Sequence, residues 1–119
     1  MANSGVSPVD LTTDVGQIRL LLGDTDANEA GEYLWFSDEE LEALAGLYNG
    51  SVKRAAARAL RIVAASHALI LKKWSQNDQS VDGPAVAEAL RQIAKDYEAE
   101  ADSEEQTGAG FFELVPGQW

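Results

Sequence analysis

Two aspartates, an asparagine and a lone histidine are the residues of this chain whose type and spacing invite a metal-binding or catalytic reading. Asp24, Asp26 and Asn28, in "DTDAN", stand where a calcium loop places its first, third and fifth ligands. The pattern then fails. Glu29 occupies the position that needs glycine for the sharp turn, and Trp35 the position that needs a bidentate glutamate. A turn held by Asx hydrogen bonds is the simpler expectation. His67 lies among Ala and Leu in the middle of a helical pattern, so a core or half-buried imidazole is expected there rather than a general base. The chain has no cysteine, hence no thiolate nucleophile, disulfide or Cys-ligated zinc. P-loop, GxGxxG, HExxH and GxSxG patterns are all missing from the sequence. No catalytic residue, metal or cofactor is expected.

Residues suited to contact are better represented. Arg54, Arg58 and Arg61 recur at i, i+4 and i+7, so they share one helix face, and Lys72 continues it. They can salt-bridge to acids of neighbouring helices or meet an acidic surface of another subunit, where the guanidinium fork grips carboxylates. DNA contact ranks third. In "YLWF" at 33–36, Phe36 is placed to pack on Leu41 as a hydrophobic staple, or these rings join an interface. The chain closes on "GAGFFELVPGQW", an apolar string after a polar stretch. Fold-back onto its own bundle competes with docking on a partner through Phe and Trp anchors.

The elements that would hold these residues are helices. Residues 1–11 read as an extended arm. A short helix over 13–22 follows a Thr12 or Thr13 cap and stops at Gly23. "SDEEL" pairs Ser37 with Glu40 in a capping box and starts a helix running to Tyr48, which "NG" ends. From 51 to 76 the sequence lacks Pro and Gly and is rich in Ala, predicting one long central helix. Asp82 and Pro84 open a last helix over 84–103, with Val86, Leu90, Ile93 and Tyr97 as its seam. The expected fold is all-α: a small bundle of about four helices over 12–104, an N-terminal arm, and a linker with an apolar C-terminal arm over 105–119.

Twenty acids against nine bases give a net charge of −11. That balance disfavours a phosphate-gripping groove and an anionic membrane surface. The opening "MANSGVSPVDLTTD" has neither a basic nor an apolar stretch, so no export signal is expected. The longest apolar run, "AASHALIL", is too short to span a bilayer. Acidity fits a basic protein partner, or a surface past which DNA moves without sticking.

Taken in order, "VGQIRLLLGDTD", "FSDEELEALAGLYNGSVKRAAARALRIVAA" and "VDGPAVAEALRQIA" resemble the head-to-tail adaptor (connector) proteins of long-tailed bacteriophages, especially those of actinobacterial phages, over roughly residues 10–100. The resemblance implies a structural, non-enzymatic virion protein of the neck, assembled in the host cytoplasm. Its helical bundles would form a homo-oligomeric, dodecameric ring beneath the portal protein. The ring would continue the DNA channel without binding DNA specifically and would meet the stopper or tail-completion protein. By position, Phe111, Phe112, Leu114, Val115 and Trp119 would anchor a portal-binding arm. The Arg54, Arg58 and Arg61 stripe of one subunit would meet Asp38, Glu39 and Glu42 of its neighbour. An acidic DNA mimic that inhibits a host DNA-binding protein is the alternative. It leaves the basic stripe and the aromatic tail without a role. A small helical enzyme lacks a site, and stoppers or tail terminators read as β-rich.

Overall fold

A computed structural model describes residues 4–74 and 83–114, as backbone alone at 67, 72–74 and 106–114. Five α-helices account for its regular structure: α1 (Asp14–Leu22), α2 (Asp38–Leu47), α3 (Val52–Ala64), α4 (His67–Trp74) and α5 (Gly83–Leu114). Among the described residues there is no strand beyond one isolated bridge, Ser4 to Glu32. The all-α bundle expected from the sequence is therefore the observed architecture.

Local chemistry sets the helix starts. The Thr13 hydroxyl accepts from the Gly16 N–H at 3.0 Å. Ser37 and Glu40 form the full capping box, the Glu40 N–H reaching the Ser37 hydroxyl at 3.1 Å and the Ser37 N–H reaching the Glu40 carboxylate at 2.8 Å. Each bond satisfies a backbone donor that has no partner inside its helix. Gly23 ends α1 in the left-handed region at φ 75°, where a Cβ would be strained.

α3 is the spine of the bundle, touching each of the other four helices. Its Ala55, Ala56, Ala57 and Ala59 are fully buried. Four alanines in five positions let neighbouring backbones approach from several sides. Ile18, Leu22, Leu41, Leu44, Leu60, Val63 and Ile70 pack around it with Trp35 and Phe36. On α5, buried Ala87, Ala94 and Ala101 repeat every seven residues, lining up a narrow seam for α3.

Three features differ from the sequence expectation. The long helix predicted over 51–76 is broken at Ala65–Ser66, because the Ser66 hydroxyl accepts from the Leu69 N–H at 3.2 Å and caps a new helix. The longest helix is instead α5, whose 32 residues run through the stretch read as a linker. Gly108 and Gly110 weaken a helix by about 1 kcal/mol each. Between Pro84 and Pro116, however, the sequence has no proline to stop one. The N-terminal arm, finally, read only as extended, is docked by hydrogen bonds. The Gly5 N–H donates to Gly31 O at 3.0 Å and the Asp38 N–H to Ser4 O at 2.9 Å, while the Tyr33 hydroxyl donates to Val6 O.

Candidate functional site

The most buried polar cluster centres on Arg19, 1% exposed on the apolar face of α1. Its guanidinium donates to Asp24 at 3.2 Å, to Asp38 at 2.9 Å and to the Phe36 carbonyl at 2.8 Å, and lies 3.5 Å from the Tyr33 ring centroid. Asp24, itself buried, also accepts the backbone N–H groups of Leu34, Trp35 and Phe36. Every described buried side-chain donor and acceptor has a partner. A cluster in which every described buried polar atom has a partner fixes a loop.

The calcium-loop residues go to the same structural end. Asp24 turns inward to Arg19, and Asn28 forms an Asx turn whose side-chain oxygen accepts from Ala30 and Glu32 at 2.9 and 3.0 Å. Among the described residues no group of three His, Cys, Asp or Glu is placed to hold a metal. "YLWF" belongs to the core: Tyr33, Trp35 and Phe36 are all 5% exposed or less, and the Trp35 indole N–H donates to Leu69 O at 3.0 Å. The His67 and Lys72 side chains lie outside the described ones.

The arginine stripe faces α5. Arg54 pairs with Asp102 at 2.5 Å and Glu105 at 3.0 Å, and Arg61 pairs with Glu98 at 2.7 Å. Lys53, on the other flank of the seam, pairs with Glu100 at 3.1 Å and with Glu104. The cations run 53, 54, 61 while their partners descend from 105 to 98, so the two helices are antiparallel and zipped by charge on both sides of the alanine seam. The hydrogen bond from Arg61 holds the Glu98 carboxyl below its ordinary pKa, and Glu98 raises Arg61 in return. Arg58 lies between these pairs, exposed and without an ion-pair partner among the described residues.

Of the six residues read as an inter-subunit contact, Arg54 and Arg61 are thus engaged within the chain. So is Asp38, which holds Arg19 and accepts the Val6 N–H at 2.9 Å. Arg58, Glu39 and Glu42 remain exposed. Phe111, Phe112 and Leu114 fall on the last turns of α5, their side chains outside the description, and Val115 and Trp119 lie outside the described residues.

Sequence reasoning missed Arg19, although a signal was present. Arg19 follows Val15 by four residues and Ile18 by one, which puts a cation inside the apolar stripe of α1. A cation at such a position needs a buried acid, and Asp24 is five residues on. No family model, curated protein or solved structure matches this chain. Among the described residues no helix is long and apolar enough to cross a membrane.

Proposed function

We propose that this chain is a structural, non-enzymatic head-to-tail adaptor of a long-tailed bacteriophage. Its subunits form a ring, dodecameric by the resemblance, beneath the portal; the ring continues the DNA channel toward the stopper. The resemblance over residues 10–100 supports the assignment. So does the acidity of the chain, which lets DNA slide past without being gripped.

The observation that carries the reading is the continuation of α5 into an apolar segment. The described ion pairs between α5 and α3 reach as far as Glu105, and the helix itself continues to Leu114, about 13 Å further at 1.5 Å per residue. From 106 to 119 the sequence holds one charge, Glu113, beside Phe111, Phe112, Leu114, Val115 and Trp119. An apolar segment carried at the end of a long helix is suited to dock on another protein, here the portal. The DNA-mimic alternative loses ground, because Asp24 and Asp38 are spent on the buried Arg19 and Glu98, Asp102 and Glu105 are paired with arginines of α3.

Mixing the purified protein with the portal of the same phage and imaging the product tests this reading. Density added below the portal is expected; side views without it would overturn the assignment. Truncation after Gly108 removes none of the ion pairs described. The bundle should keep its melting temperature within a few degrees while portal capture is lost. A much earlier melt would show instead that the segment packs on its own bundle.

A further inference from the structure

We infer that the α3–α5 face carrying Arg58 and Lys95 docks the acidic outer face of α2 from a second copy of this chain. The inference rests on the ring reading for its assembly and on charge for its address. Copies at −11 repel one another, so contact is favoured where a local surplus of positive charge meets a local surplus of negative charge.

The positive surplus has one described location. Along α5, Lys95, Glu98 and Asp102 share a face at i, i+3 and i+7, and that face meets the arginine side of α3. Arg54 and Arg61 consume its acids. Arg58 and Lys95 are both exposed and have neither an ion pair nor a hydrogen bond among the described residues. Arg58 opens onto a groove of about 370 Å³ that Tyr48 also lines, together with the paired Arg54, Arg61, Glu98 and Asp102. The arginines at i−4 and i+3 are already matched by acids of α5, whereas the Arg58 charge is left unmatched among the described residues. A carboxylate supplied from outside matches it and suits the bidentate geometry of Arg.

α2 presents the complement. Glu39, Glu42, Ala43 and Gly46 fall at i, i+3, i+4 and i+7 and are all exposed. Neither Glu39 nor Glu42 has a described ion-pair or hydrogen-bond partner. Gly46 sits inside the helix, where glycine is unfavourable, and a Cβ there would meet nothing within 4 Å. Packing within the chain therefore does not call for this glycine, whereas close approach of another helix does. Unlike faces meeting in this way suit the heterologous contact that closes a ring.

Sedimentation velocity of the full chain, without portal, tests the pairing. The wild type should self-associate at low salt and dissociate near about 1 M salt, where screening acts within about 3 Å. Arg58→Glu and Glu42→Arg should each weaken association by about tenfold or more while keeping the helical melt. An equimolar mixture of the two variants should recover association through the one interface in which reversed charges face each other. A wild type that stays monomeric at low salt, an Arg58→Glu variant that associates normally, or a mixture that recovers nothing would each overturn the inference. Portal capture that persists alongside any of these leaves the adaptor reading standing, so the two failures are separable.

Discussion

At the residue scale, charge placement dominates this protein. Arg19 is tolerated inside the core because two carboxylates, a carbonyl and the Tyr33 face surround it. Removing one partner strands the others. Asp24→Ala should cost about 3–5 kcal/mol in urea unfolding, since it removes a carboxylate that a buried guanidinium and the Leu34, Trp35 and Phe36 N–H groups donate to. Arg61 and Glu98 make a milder case, with side chains 32% and 38% exposed. Glu98 has its folded pKa depressed below the ordinary 4.5 by Arg61. Its contribution is therefore present above that value and lost as pH falls through the lower, folded one. Solvent screening keeps it to at most about 1 kcal/mol. An Arg61→Met variant should lose stability at pH 6 but converge on the wild type in acid, as urea melts at both pH values would register.

At the element scale, caps and breaks outweigh average propensity. Ser37→Ala removes half of the capping box and should cost α2 about 1 kcal/mol in a thermal melt. Gly16→Ala should be worse than its helix propensity implies, because a Cβ at Gly16 would overlap the backbone carbonyl of Asp10. The caps at Thr13, read as Thr12 or Thr13, and at Ser37 were readable because each depends on a side chain within three residues of the cap. The break at Ser66 was not, for the opposite reason. A serine inside an Ala-rich stretch either bonds to its own helix or caps a new one, and packing decides: Ile70 is 2% exposed and Leu69 O receives the Trp35 indole. The run of α5 to Leu114 escaped notice because two glycines signal a linker locally, and no local rule says how far a helix propagates past them.

At the scale of the whole molecule, α3 at the centre and α5 along its flank give an elongated shape of 60 × 31 × 20 Å. The all-α class, the caps and the apolar stripes followed from the sequence alone, because they rest on periodicity and on contacts within one or two turns. So did the negative charge that disfavours phosphate binding. The partners of the charged side chains did not follow. Arg54 meets Asp102 and Glu105 across about fifty residues of sequence, and Arg19 meets Asp38 across nineteen. Spacing along the chain places a cation on a face; only the antiparallel register of α3 and α5 decides which acid stands opposite, and so that Arg58 is left over. Long-range pairing depends on how whole helices pack, and that is fixed by the shape of the buried surface rather than by any local rule.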